Sequence, residues 1–398
     1  MVIKMPDLTV SFAGIKFKNP YILASAPPTM DADHIIKASK LGWGGAVTKT
    51  MGIEKVKDVR PRLAPARAGK ITIGMTNIEL ISTKNVEQWC NKEIPKIKEN
   101  ISDDFVLIGS IMASADPKEW TTLAKRVEEA GVNMIELNIS CPHGMPEKQM
   151  GMFIGQNAKL TERVTRAAKR NVKIPVMVKL TPNVTDIGLI AKSAEKGGAN
   201  ALSAINTVAS IPGVDIEEEI PLPTVNRKSV SAGGLSGNCI KPIALRCITE
   251  IRKSSKLPVS GIGGISDWKT SVEFILLGAS TLQVCTAVMF HGFKIIDEMK
   301  KGLLNYMAQK KYEYISDFCG NALKNITQHS KLKRSPRIHA EIIEERCTGC
   351  GLCLTACESG GFNAITIENN AAKVDVKVCD GCGLCKIVCN LDAIRFVK

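Results

Sequence analysis

Aromatic residues make up only 5% of the 398 positions in this chain. Nucleic-acid surfaces stack bases on aromatic rings and gather their cations into patches, so a nucleic-acid role is not expected. The formal net charge is +14, yet Lys and Arg are scattered, and the densest basic stretches, at 166–170 and 331–334, are short. They read as a solvated surface, and thiolate-bound clusters or a bound phosphate would pull the total down. A long apolar run is missing too. The most apolar window, FILLGASTLQVCTAVMF at 274–290, falls short of the roughly 20 residues of a spanning helix. Broken by Gly, Ser, Thr and Gln, it reads as a helix end, a turn and a buried strand. MVIKMPDLTV at the start carries Lys4 and Asp7 and is too short for an export leader. The expectation is a cytoplasmic protein without membrane attachment. A dinucleotide fingerprint is also wanting: in GIGGIS at 261–266, Ser266 stands where GxGxxG needs its last Gly. No nicotinamide site is expected in the chain.

Cysteine, by contrast, is plentiful. Fourteen residues without an export signal imply a reducing compartment, with thiols used for metal or catalysis. Cys347, Cys350, Cys353 and Cys357 are separated by two, two and three residues, and Cys379, Cys382, Cys385 and Cys389 repeat the pattern. Two such runs mark a pair of [4Fe–4S] clusters, and in this arrangement the fourth Cys ligates the other cluster. One cluster is therefore assigned to Cys347, Cys350, Cys353 and Cys389, the other to Cys379, Cys382, Cys385 and Cys357. Paired CxxC units also suit tetrahedral zinc, but four thiols at this tight spacing, duplicated, favour the clusters. Glu358 and Asn390 stand where Pro usually follows the fourth Cys, a departure that bears on cluster potential and not on ligation. The short apolar runs AITI and AIRFV that follow the two cysteine runs fit a compact two-fold repeat.

In the first three hundred residues, apolar β-type runs alternate with helical ones. YILASA, GAVTKT, FVLIGSI, MIELNIS, IPVMVKL, ALSAINTV, PVSGIGGI and LQVCTAV are the candidate strands. Amphipathic stretches at 118–130, 186–196, 242–253 and 268–277 lie among the gaps. Strands apolar on both faces and separated by helices indicate a parallel sheet. About eight such units predict a (β/α)8 TIM barrel followed by a small C-terminal ferredoxin-like domain with two [4Fe–4S] clusters. The expected boundaries are 1–310 for the barrel, 311–338 for a polar connector and 339–398 for the cluster domain.

A barrel carries its chemistry at the C-terminal ends of its strands. Those ends hold Ser25, Lys49, Asn138, Ser140, Cys141, Lys179, Asn206, Thr207, Gly263, Gly264 and Thr286. The glycines of GIGGIS precede a helix and VCTA ends the next strand, so backbone amides there can cradle a phosphate. In series, LASA (23–26), GWGGAVTKT (42–50), TNIEL (76–80), ELNISCPHGM (136–145), KLTPNVTDI (179–187), INTV (205–208), GGLSG (233–237), GIGGI (261–265) and LQVCTA (282–287) resemble the flavin domain of the dihydropyrimidine dehydrogenase family. That family is related to the dihydroorotate dehydrogenases. The tail resembles the same family's cluster domain, and the layout resembles the pyrimidine-reducing subunit of the two-subunit bacterial type.

The resemblance implies FMN on the barrel, held at Ser25, Lys49, Thr50, Lys179, Gly237, Gly263, Gly264, Cys285 and Thr286. It implies a pyrimidine held at Asn77, Glu79, Asn138, Ser140, Asn206 and Thr207. Carboxamides both donate and accept, which suits the alternating carbonyl and N–H rim of uracil, and Lys179 would stabilise an anionic reduced flavin. Cys141 is implied as the acid that protonates one ring carbon while a hydride reaches the other. A buried structural thiol is the commoner fate of a lone Cys; the strand-end position and the surrounding motif favour chemistry. Pro142, Gly144 and Gly151 suggest a loop able to close over the substrate. His143 is read as a loop or flavin-side contact outside the catalytic set, and Cys90, Cys239, Cys247 and Cys319 as packing residues.

The function so implied is reversible reduction of uracil and thymine to 5,6-dihydropyrimidines. Electrons would come from NAD(P)H through a partner FAD- and NAD(P)H-binding subunit, in a hetero-oligomer with a homodimeric core. A dihydroorotate dehydrogenase-like enzyme on another cyclic substrate is the first alternative. It would need an extra cation for the substrate carboxylate, and none is evident in the sequence. An electron-transfer subunit without its own substrate is the second alternative, and the three Asn positions and Cys141 argue against it.

Overall fold

The computed structural model describes residues 6–143 and 146–398. Eight strands close into one parallel barrel. In chain order they are β1 (Tyr21–Leu23), β2 (Gly45–Val47), β3 (Val106–Ile111), β4 (Met134–Asn138), β5 (Val176–Leu180), β6 (Ala201–Ala204), β7 (Val259–Ile262) and β8 (Ala279–Val284), and each pairs with its neighbours in sequence around the ring. All eight apolar runs read from the sequence supply these strands. The window at 274–290 contains the end of a helix at Leu276, the strand β8, and then a further short helix, Thr286–His291.

The apolar runs split by their period of two. Outward residues such as Leu107, Ile135, Leu137, Val178 and Leu202 join the large core beneath the helices. Inward residues change character along the barrel. At its N-terminal foot Ile22, Val47, Ile108, Met134 and Met177 pack against Phe12 and Phe17 of an antiparallel hairpin, Val10–Phe12 with Ile15–Phe17. The two rings meet edge to face, 6.2 Å between centroids, and each contributes on the order of 1.5–3 kcal/mol by burial. Higher up, the inward positions turn polar, with Ser110, Glu136, Ser203 and Gln283 all buried.

Helices start where a short polar side chain can satisfy free backbone amides. Asp31, Asp116, Asn157, Asp186 and Asp267 each accept from a first-turn N–H. Two long excursions, after β2 and after β6, build a four-stranded antiparallel sheet in the order Val208–Ser210, Gly233–Ser236, Ile71–Asn77, Leu63–Ala68. Both leave from C-terminal strand ends, so this sheet belongs to the mouth of the barrel.

The chain divides into two compact units, ending and beginning at Asn325 and Ile326. Residues 311–325, read above as the first half of a connector, pack with the first unit. Ile315 and Phe318 are buried in its core, and the Tyr312 ring stacks on Phe318 at 5.0 Å. The aromatic pair carries them; the polar surroundings had masked it. In the second unit His339–Ile342 pairs with Ile394–Val397, and Ile365–Glu368 with Ala371–Val374. Each cysteine run opens a helix, Leu352–Ser359 or Leu384–Val388. No helix of the described residues is long and apolar enough to cross a membrane.

Candidate active site

The inward face of β4 reads Met134, Glu136, Asn138 from foot to mouth, and its register sets Asn138 beside Lys179 of β5. Glu136 is fully buried. Its Oε2 accepts from Ser203 Oγ (2.8 Å) and Gln283 Nε2 (3.2 Å), while Oε1 has no hydrogen bond and lies 3.7 Å from Lys179 Nζ. A buried carboxylate and a buried ammonium thus share the level just below the mouth, each making the other's charge tolerable.

Above them opens a cavity at the mouth of the barrel. Its walls include Ser25, Lys49, Thr50, Asn77, Glu79, Asn138, Cys141, Lys179, Asn206, Thr207, Gly237, Gly263, Gly264, Cys285 and Thr286. Of the residues expected at the flavin and pyrimidine, only Ser140 is not on the wall. It is fully buried behind it, where its Oγ donates to Asn138 Oδ1 (3.0 Å) and accepts from Asn206 Nδ2 (2.8 Å). A support for two carboxamides is what that geometry describes.

The three carboxamides are oriented by backbone donors. Asn77 Oδ1 accepts from the Glu79 N–H (3.3 Å), Asn138 Oδ1 from the Ser140 N–H (3.3 Å), and Asn206 Oδ1 from the Thr207 N–H (2.8 Å). A backbone N–H can only donate, so each amide oxygen is fixed on that side. Asn138 Nδ2 then gives one hydrogen to Thr50 Oγ1 (3.0 Å) and Asn77 Nδ2 one to the Gly234 carbonyl (3.1 Å), leaving each a second N–H. Thr50 is itself held between Ser25 (3.1 Å) and Ser110 (2.9 Å).

Charge is arranged in pairs. Lys49 Nζ lies 2.6 Å from Glu79 Oε2 and Arg62 Nε 2.7 Å from Glu79 Oε1. Burial works to raise the Glu79 carboxyl, but the Lys49 and Arg62 charges and hydrogen bonds outweigh it and hold it below the usual range. His143 takes a part that the sequence had not given it. Its Nε2 is 2.6 Å from the Glu79 carbonyl oxygen, which can only accept, so Nε2 carries a hydrogen. Nδ1 makes no well-aligned bond, yet the ring is close enough to govern Cys141. Burial would raise the Cys141 thiol; the His143 charge and hydrogen bonding outweigh it and hold it below its usual value. Burial likewise disfavours a charged His143, and Cys141 outweighs it, lifting the imidazole to about 9. Other thiols go the opposite way: burial pushes Cys90, Cys247 and Cys285 up to about 11. Gly144, part of the expected loop closure, lies outside the described residues.

The opposite wall suits a phosphate-bearing cofactor. Gly237, Gly263 and Gly264 have φ of +98°, +122° and +80°, and a Cβ on Gly264 would stand 2.8 Å from Lys241 Cβ and 3.0 Å from Lys241 N. Beside them starts the helix Lys241–Ser254, whose N-terminus has no side-chain cap, in contrast to the fully capped Trp268–Leu276. Bare backbone at the head of the uncapped turn Asn238–Ile240, which leads into that helix, suits an anion, and the Lys179 ammonium stands on the same cavity wall. These residues fit FMN.

In the second unit, one cavity is lined by Cys347, Cys350, Cys353 and Cys389 and another by Cys357, Cys379, Cys382 and Cys385. Each set takes its fourth thiol from the other run. Backbone N–H groups of Ala364, Ala372 and Ala393 donate to the sulfurs of Cys357, Cys347 and Cys389 at 3.3–3.4 Å, as cluster thiolates require. The residues fit two [4Fe–4S] clusters.

A (β/α)8 barrel whose mouth gathers a cysteine, a histidine and three carboxamides beside a bare-backbone turn, joined to a two-cluster module, is the architecture of an iron–sulfur flavoprotein oxidoreductase. Residues 7–307 match the dihydroorotate dehydrogenase family and residues 340–396 the 4Fe-4S dicluster domain. The NAD-dependent dihydropyrimidine dehydrogenase subunit PreA of Escherichia coli K12 is 40% identical over 90% of this chain and 87% of its own. The chloroplastic dihydropyrimidine dehydrogenase (NADP(+)) of Arabidopsis thaliana is 37% identical over 86% and 82%. The catalytic subunit of dihydroorotate dehydrogenase B (NAD(+)) from Pyrococcus horikoshii is 39% identical over 80% and 98%. A crystal structure of DHODH from Eimeria tenella with ferulenol shares the fold, with TM-score 0.66 at 19% identity over 80% and 89% of the two chains. The chain belongs to the dihydroorotate dehydrogenase family and carries a C-terminal 4Fe-4S dicluster domain.

Proposed function

We propose that this chain is the pyrimidine-reducing subunit of a dihydropyrimidine dehydrogenase, converting uracil and thymine reversibly to their 5,6-dihydro forms. The observation that carries this reading is the Cys141–His143 pair, set at the end of β4 among three oriented carboxamides and in one cavity with the bare-backbone turn. Bound FMN would deliver hydride to one ring carbon. Electrons would reach it from NAD(P)H through a partner flavoprotein subunit and the two clusters, in a cytoplasmic hetero-oligomer built on a homodimeric core. The E. coli relative is itself named as a subunit.

The chain's own residues do the rest. The free N–H groups of Asn77 and Asn138 meet ring carbonyls, and remaining lone pairs meet ring N–H groups. Ser25, Lys49, Thr50, Lys179, Gly237, Gly263, Gly264, Cys285 and Thr286 hold the cofactor, Lys179 with its charge backed by Glu136. Cys141 Sγ gives its proton to the carbon bonded to the hydride-accepting one, on the opposite face of the ring, and the thiolate left behind is stabilised by the His143 imidazolium. In the oxidative direction the same thiolate removes that proton. Cys347, Cys350, Cys353 with Cys389, and Cys379, Cys382, Cys385 with Cys357, hold the clusters.

The test is anaerobic photoreduction of the holoprotein followed by addition of uracil or thymine. Reoxidation of the flavin is expected; a flavin that stays reduced with both would reject the substrate assignment.

A further inference from the structure

The relatives divide between uncharged pyrimidines and the carboxylate-bearing dihydroorotate at nearly equal identity, 40% and 39%, so discrimination has to be sought in individual side chains. A ring carboxylate needs an unspent cation. The cationic side chains on the cavity wall are Lys49, Lys179 and His143. Lys49 is bound to Glu79, Lys179 faces Glu136, and His143 faces Cys141. Arg62, which approaches from the Leu63–Ala68 edge of the mouth sheet, is bound to the other oxygen of Glu79.

Glu79 is the residue on which this balance turns. Its side chain is 7% exposed, and four groups fix it: Lys49 and Arg62 at the carboxylate, Asn77 at its N–H and His143 at its carbonyl. With Lys49 and Arg62 beside it the carboxyl stays ionised at neutral pH. A fixed carboxylate on the wall of a substrate pocket, with both of its cationic partners already engaged, disfavours a second carboxylate there.

We propose that Glu79 restricts this site to uncharged pyrimidines, by placing a permanent anion at the ring pocket and by occupying Lys49 and Arg62, where a ring carboxylate would otherwise settle. The inference rests on the pyrimidine-reducing function proposed above and names the residue that separates it from the dihydroorotate reaction.

The experiment titrates the anaerobic holoprotein with uracil, orotate and the neutral 6-carboxamide of uracil, following the flavin absorbance, in wild type and Glu79→Gln. Orotate and the amide match in size and differ in charge. In wild type the amide should bind within about tenfold of uracil and orotate at least about a hundredfold more weakly. In Glu79→Gln the gap between orotate and uracil should shrink by about tenfold or more, with a matching rise in flavin reduction by dihydroorotate relative to dihydrouracil. Glu79→Asp, which keeps the charge, should retain the exclusion. If wild type rejects the amide as strongly as orotate, or accepts orotate, or if the gap is unchanged in Glu79→Gln, the proposal is overturned. The wild-type comparison of orotate with the amide decides the matter even if Glu79→Gln does not fold. A wild-type flavin indifferent to uracil and dihydrouracil alike would instead overturn the function on which the inference rests.

Discussion

Cys141 and His143 share a proton economy that can be read from pH. Cys141 is lowered, so its thiolate is present above that lowered value and is lost as pH falls through it. His143 is raised to about 9, so the imidazolium persists through neutrality and is lost as pH rises through that value. On the proposed mechanism the oxidation of dihydrouracil uses the thiolate–imidazolium pair, so its rate should rise across the first titration and fall across the second. His143→Gln should abolish the fall near 9 and move the acidic limb upward, because the thiol is left with burial opposed only by the Lys49 charge. Stopped-flow flavin reduction from pH 5 to 10 measures both limbs. Cys141→Ala should retain the flavin and lose roughly 10²–10⁴-fold in that rate; a smaller loss would put the proton elsewhere. The position of Cys141 was legible in ELNISCPHGM, since a strand end in a barrel is where chemistry sits. Its partner was not. Two residues' separation across Pro142 does not say where an imidazole points, and the Glu79 carbonyl that aims it is supplied from a different strand connection.

The eight barrel strands were legible because each is a short run apolar on both faces, and four of the helices because their apolar positions recur on one face. The mouth sheet was not. Its central strand Ile71–Asn77 has three exposed residues followed by three buried ones, so it shows no alternation, and Ile71 is 71% exposed. Arg62 was therefore missed along with it. Glu136 had a visible signal, a charge two residues before Asn138 inside a strand otherwise apolar on both faces. Gly263 and Gly264 were read from GIGGIS as a place for a phosphate and Gly237 from the family resemblance, and the backbone now makes the turn testable. Gly264→Ala must put a side chain at φ +80° against Lys241, at about 1–3 kcal/mol of strain. A lower melting temperature and faster release of fluorescent FMN are expected; unchanged FMN retention would remove this turn from the cofactor site.

The two units invite a test of the crossed ligation, which the cysteine spacing implied and the two cysteine-lined cavities suit. Cys347 and Cys389 line the same cavity although they belong to different runs. The double variant Cys347→Ala with Cys389→Ala should therefore lose one cluster and keep about four of about eight irons, whereas uncrossed runs would lose both. Iron analysis of the purified protein decides, and flavin content should not change. Direct reduction of that flavin by dihydrouracil should survive, while turnover driven by reduced nicotinamide through the partner should fail. Phe12 and Phe17, packed into the foot of the barrel, have a last consequence. With the base stoppered, the chamber is a cul-de-sac, so pyrimidine and dihydropyrimidine must use the same doorway in turn. Departing product and arriving substrate then obstruct one another, and crowding by either should throttle traffic in both directions.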